Sequence, residues 1–189
     1  MSLNKSLIIL KSYVNTSSFV KNNKQSMTKS EIIKQLELEP HPEGGFYAET
    51  YRSNKTVLLP EDKLERNVST AIYYLLGKGD FSTFHRLKFT EIWHYYDGAS
   101  VKLVEITPEG ELIETIVGKD FSKGEVPQYI IKGGNWFAGA ALIDEEEGYT
   151  LIGCTVAPGF EFQDFEIADT NVLKKEYPKY SELIDKFKK

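Results

Sequence analysis

Two of the three histidines in this chain, His85 and His94, fall in one short segment with a carboxylate, Glu91, between them. Side chains two apart on a strand share a face, so Thr83, His85 and Leu87 are predicted to point away from Phe84, Arg86 and Lys88. The second set carries two charges, which puts the His85 face inward. On the following strand Glu91, Trp93 and Tyr95 share a face opposite Ile92, His94 and Tyr96. An imidazole and a carboxylate facing each other inside an apolar body perturb each other through desolvation and charge, and such a pair can transfer protons. The plainer structural role for His85 and Glu91 is a polar pair that fixes strand register. The same parity places His94 outside, and His41, between Pro40 and Pro42, carries no motif by itself. Cys154 is the sole cysteine, which excludes an intramolecular disulfide framework and thiolate-rich zinc sites.

The elements that must position these groups read as strands. From Gly44 to Phe162 apolar residues alternate or come in short runs broken by Gly and Pro, and β-branched and aromatic types dominate. Strands are expected near residues 45–51, 68–76, 82–87, 91–96, 99–106, 111–117, 126–131, 136–143, 149–156 and 160–165. Asp97-Gly98 is a hairpin signal, and Pro108-Glu-Gly110, Glu145-Glu-Glu-Gly148 and Pro158-Gly159 are further turns. That many strands at this spacing predict a sandwich, jelly roll or barrel. Thr28-Lys29-Ser30-Glu31 has the spacing of a capping box, with Ile32, Ile33 and Leu36 on one face of the helix it opens and Pro40 and Pro42 beyond its end. After Asp169, Leu173, Leu183, Ile184 and Phe187 predict short amphipathic helices, interrupted at Pro178 and packed on the outside of the β body.

The chain of 189 residues is of single-domain size, divided here into an extension (1–27), the β domain (28–169) and a helical tail (170–189). With 23 basic against 28 acidic residues it lacks the basic footprint of a nucleic-acid binder. No apolar run approaches a membrane span. The first acid is Glu31, after Lys5, Lys11, Lys21, Lys24 and Lys29, so the head is a solvated tail on a cytoplasmic protein or else a mitochondrial transit segment.

His85-x-Leu87-x3-Glu91-x6-Gly98 resembles the first motif of the cupin superfamily, His-x-His-x3-Glu-x6-Gly, which supplies three metal ligands to a double-stranded β-helix. Leu87 stands in the second histidine position. Lys132-Gly-Gly134-Asn-Trp-Phe137 aligns with the second motif, and Phe137 takes the place of the fourth ligand. The chain is more closely similar to the cupin 5 branch through Pro42-Glu-Gly-Gly45-Phe-Tyr-Ala-Glu-Thr-Tyr-Arg52, Ser69-Thr-Ala-Ile-Tyr-Tyr-Leu-Leu76, Phe84-His85, Glu91-Ile-Trp-His94 and Pro158-Gly-Phe160. This resemblance implies an all-β cupin jelly roll with a short N-terminal helix and short C-terminal helices. It also implies a homodimer and a fold like that of dTDP-4-dehydrorhamnose 3,5-epimerases.

From the same resemblance follows a small-molecule-binding protein, a metal-independent sugar or nucleotide-sugar isomerase or epimerase with His85 as base. The alternatives are a non-catalytic ligand-binding module and a metal-dependent cupin enzyme, dioxygenase or isomerase, with a divalent transition metal on His85 and Glu91. Two side chains are too few for such a metal, which wants three or four. His85, Glu91 and Tyr73 form the candidate catalytic set, with Tyr47 and Tyr95 as other possible hydroxyl donors. Tyr47, Glu49, Arg52, Trp93 and Trp136 are the candidate ligand contacts: Arg52 would clamp an anionic group, and the tryptophans would stack on a sugar or base or else, as the commoner role of such rings, form core or pocket wall, as Tyr73 would too. For Glu49 and Arg52 a salt-bridged strand is the competing reading.

Overall fold

A computed structural model describes residues 27–60 and 63–189, so the expectations for the amino-terminal head lie outside the described residues apart from Met27. Helix α1 (Lys29–Gln35) opens with both bonds of the expected capping box between Thr28 and Glu31. The strands are β1 (Glu39–Pro40), β2 (Phe46–Arg52), β3 (Thr56–Leu58), β4 (Glu65–Asn67), β5 (Thr70–Gly77), β6 (Phe81–Leu87), β7 (Glu91–Gly98) and β8 (Val101–Ile106). They continue with β9 (Leu112–Val117), β10 (Gln128–Ile131), β11 (Trp136–Ala141), β12 (Tyr149–Val156) and β13 (Phe165–Ile167), before α2 (Thr170–Glu176) and α3 (Ser181–Lys186).

Two antiparallel sheets face each other, one in the order β1-β2-β5-β12-β7-β10 and the other β13-β6-β11-β8-β9, with the β3-β4 hairpin apart. Leu76, Trp93, Leu103, Phe137 and Ile152 fill the space between them. Each sheet buries part of its outer face as well. Phe84, Val104, Ile106 and Trp136 lie beneath Leu173, Tyr177, Ile184 and Phe187 of the carboxyl-terminal helices. Leu75 and Tyr149 lie beneath Ile32 and Leu38 of the α1 region. This covering explains why β5 reads as a continuous apolar run. Among the described residues no helix is long and apolar enough to cross a membrane.

Two local expectations are corrected. Asp97-Gly98 does not close a hairpin: β7 pairs with β12 and β10, whereas β8 pairs with β11 and β9, so the chain crosses between sheets here. Gly98 has φ 88°, and a Cβ there would stand 2.1 Å from the Tyr149 carbonyl oxygen, so close backbone approach at the corner demands glycine. The expected strand at 160–165 is instead a 3-10 turn, Phe162–Asp164, followed by β13. Arg66, itself buried, holds the Asp164 carboxylate through Nε at 2.7 Å and so ties this turn to β4.

Candidate functional site

One end of the space between the sheets opens into a cavity of about 160 Å³. His85, Glu91, Cys154, Ile72, Leu87 and Val156 come from the sheet interiors, and His41 and Glu43 come from the turn before β2. An apolar cavity of about 150 Å³ takes up benzene, so this space suits one six-membered ring or its equivalent.

His85 is 2% exposed, and its Nδ1 lies 2.8 Å from the Thr83 carbonyl oxygen. A carbonyl only accepts, so Nδ1 carries the hydrogen and the neutral ring presents Nε2 as an acceptor. Nε2 stands 3.0 Å from Glu43 Oε2, with both side chains buried. One proton must occupy that contact. Burial pushes His85 below the ordinary imidazole range and is the main cause of the shift. It likewise raises Glu43, against an opposing pull from His41 and the Tyr74 and Ser82 hydroxyls. Both shifts favour the neutral pair, in which the Glu43 carboxylic acid donates to His85 Nε2.

Glu91 is the second buried carboxyl of the cavity. Desolvation is the main cause that pushes it up to about 7; a negative charge on Glu43 would add to the rise, and His85, Trp93 and Cys154 pull the other way. Trp93 Nε1 donates to Glu91 Oε2 at 3.0 Å and fixes its orientation. A group near neutrality at neutral pH suits general acid-base work.

The sign of the resulting pH dependence follows from proton counting. Between about 4.3, an ordinary glutamate value, and about 7, the folded chain holds a proton on Glu91 that the unfolded chain has lost, so stability falls as pH rises. His85 and His41, both lowered by burial, act in the opposite direction while the unfolded imidazoles titrate. Glu91→Gln isolates the first effect. Denaturant titrations at a series of pH values should show the variant gaining on the wild type across this window by on the order of 3 kcal/mol. A difference that is flat with pH would mean that Glu91 ionises in the ordinary range.

The expected site residues divide into two groups. His85, Glu91, Tyr47, Glu49 and Arg52 all line the cavity. Tyr73 does not: it lies on the outer face of β5, edge-on to Tyr96 and within the cluster around α1, whereas Tyr74 points inward and donates to the Gly44 carbonyl at 2.8 Å. Trp93 is core and touches the site through the Glu91 carboxylate rather than as a stacking surface. Trp136 faces the carboxyl-terminal helices with the Arg86 guanidinium 4.4 Å above its ring. Tyr95 turns its hydroxyl to the Gly98 carbonyl. As expected, His94 faces away from the cavity and meets Thr155 Oγ1 at 3.2 Å.

Arg52 is corrected as an anion clamp. Its N–H groups are spent on both Glu49 oxygens, Asn67 Oδ1, the Phe160 carbonyl and Glu161 Oε1, at 2.8–3.2 Å. It ties β2 to the segment before β13 instead.

His41 and Glu43 are the residues that strand parity missed. His41 Nδ1 accepts from the Glu43 backbone N–H at 3.3 Å and lies 3.7 Å from Glu43 Oε2. The visible signal was the glycine pair that follows. Gly44 has φ 121° and would drive a Cβ to 2.1 Å from the Phe81 carbonyl oxygen, so this turn lies directly against the start of β6. The Thr83 N–H then bonds the Glu43 carbonyl at 2.9 Å, which joins the turn to the backbone whose carbonyl orients His85.

The donor set does not fit the transition metal that the cupin motif implies. Among the described residues no group of three or more His, Cys, Asp or Glu side chains could hold a metal ion. Leu87 lines the cavity at one ligand position, and the Phe137 ring packs 4.0 Å from that of His85 at another.

The model of the family Cupin_5, described as cupin superfamily (DUF985), matches residues 30–168. An uncharacterized protein of Saccharomyces cerevisiae, YML079W, is 33% identical over 145 residues, which span 71% of this chain and 72% of that one. Protein SO0799 from Shewanella oneidensis superposes with a TM-score of 0.79 at 38% identity, covering 87% of this chain and 99% of the other. A hypothetical protein from Leishmania major gives 0.78 at 34% identity, covering 84% and 97%.

Proposed function

We propose that this chain, which belongs to the Cupin_5 family of the cupin superfamily, binds one small organic molecule in the cavity and moves a proton on it without a metal. The observation that carries the proposal is the buried Glu43–His85 contact at 3.0 Å, with a single shared proton, facing the same cavity as Glu91. Glu91 as carboxylate takes a proton from a carbon beside a carbonyl, breaking the C–H bond and forming an O–H bond. The proton shared by Glu43 and His85 passes to the developing enolate oxygen. Return of both protons, with the carbon protonated on its other face or at the neighbouring carbon, gives an epimer or an isomer.

In this scheme His85 is not the free base suggested by the family resemblance, because its Nε2 accepts from Glu43. It holds the proton that Glu43 delivers, and the base is Glu91. A monosaccharide-sized carbonyl compound fits the volume.

A thermal-shift screen of keto and aldo sugars tests binding. A ligand at 100 times its dissociation constant adds about 2.7 kcal/mol, or roughly 5–11 °C in a chain of this size. A hit should acquire solvent deuterium at the carbon next to its carbonyl in the presence of the protein. Binding without exchange would make the protein a non-catalytic binding module, and no hit in the series would remove the sugar reading.

A further inference from the structure

The mouth of the cavity carries three carboxylates, Glu39, Glu49 and Glu161, against one guanidinium, Arg52. The cation has no donor left for a guest, since its N–H groups are engaged by Glu49, Glu161, Asn67 and the Phe160 carbonyl. Among the described residues that line the cavity, an entering anion meets negative charge and no positive group with a donor to spare. The walls add a second, independent feature. Tyr47, Phe160, Phe162 and Phe165 line the cavity, and the three phenylalanines meet edge to face at ring separations of 5.1–6.3 Å. Aromatic faces close to carboxylates attract an ammonium group through ring quadrupole and charge together.

We infer that the natural ligand is a small organic cation, a ring-sized molecule bearing an amino group that sits at the mouth among Glu39, Glu49, Glu161 and the aromatic walls. The inference rests on the reading of the cavity as a ligand site and narrows it to an amine-bearing substrate, such as an amino sugar. Anionic substrates, nucleotide sugars included, are excluded by the same charges.

Three probes of one shape separate the charge from the cavity: cyclohexylamine, cyclohexanol and cyclohexanecarboxylate at pH 7, titrated by NMR into the intact protein. The amine should bind at least tenfold tighter than the alcohol, and the carboxylate should not bind measurably. Glu161→Gln releases one of the partners of Arg52 and should weaken the amine at least fivefold while admitting the carboxylate. Glu39→Gln, which leaves the Arg52 network intact, should weaken the amine alone.

Equal binding of amine and alcohol would overturn the cation assignment while leaving the cavity as a site. A cavity-filling variant, Ile72→Phe, should abolish binding of every probe. Binding that survives it, or no binding of any probe to the wild type, would overturn the ligand-site reading and the cation assignment with it.

Discussion

Glu91→Gln should reduce solvent-deuterium exchange into the bound substrate by about 10²–10⁴-fold, the usual contribution of a positioned general base, while leaving substrate binding within a fewfold of wild type. The amide keeps an oxygen for the Trp93 Nε1 donor, which sits at 3.0 Å in the native chain, so the change removes the titratable group and spares the packing. The same variant should be the more stable protein near pH 7, because it no longer bears a buried carboxyl that desolvation holds away from ionisation. Loss of activity joined to a gain in stability is the mark of a strained functional group, whereas a merely structural glutamate would lose both together. His85→Ala should also lower exchange by removing the acceptor that holds the Glu43 proton, and it should weaken the pH dependence of what remains. Exchange that persists at wild-type rate in Glu91→Gln would mean that the base lies elsewhere.

A large effect on stability is expected at Gly44. An alanine there combines φ 121° with a Cβ 2.1 Å from the Phe81 carbonyl oxygen, and neither atom belongs to a flexible side chain that can swing away. Strain and overpacking each cost about 1–3 kcal/mol, so Gly44→Ala should destabilise by on the order of 3 kcal/mol and lower the melting temperature by roughly 6–12 °C. Gly79→Ala is the matched control. Its φ is 75° but nothing lies within 4 Å of the added carbon, so only the backbone strain of about 1 kcal/mol remains. The consequence reaches the site as well. Displacing this turn breaks the Thr83 N–H bond to the Glu43 carbonyl and the Tyr74 bond to the Gly44 carbonyl, and it moves Glu43 away from His85 Nε2. If both glycine variants lose the same small amount of stability, the close approach at Phe81 is not rigid.

The two-sheet architecture was readable because most strands carry β-branched and aromatic residues between clear turn signals. His85 and Glu91 were readable for a sharper reason, since the charges on Arg86 and Lys88 betray the outer face of β6. The same method failed on β5. There both faces are apolar, with Ile72, Tyr74 and Leu76 between the sheets and Tyr73 and Leu75 beneath the α1 region. Period-two parity contains no information when both sides are covered, so the spacing does not distinguish Tyr73, on the outer face, from Tyr74, which points inward. Trp136 lies on a covered outer face as well, because α2 and α3 bury what would otherwise be the solvent side of β11, which makes it core rather than a ligand contact. Glu43 and His41 escaped because a turn has no periodicity, although the paired glycines after them mark where backbone meets backbone.

A carbon-13 NMR titration of the side-chain carboxyls, with Glu91→Gln used to assign the Glu91 resonance, tests the proposed buried proton-transfer site most directly. The Glu91 signal should titrate near pH 7, well apart from the surface carboxylates. A Glu91 signal that titrates together with the surface carboxylates in the ordinary acidic range would contradict it.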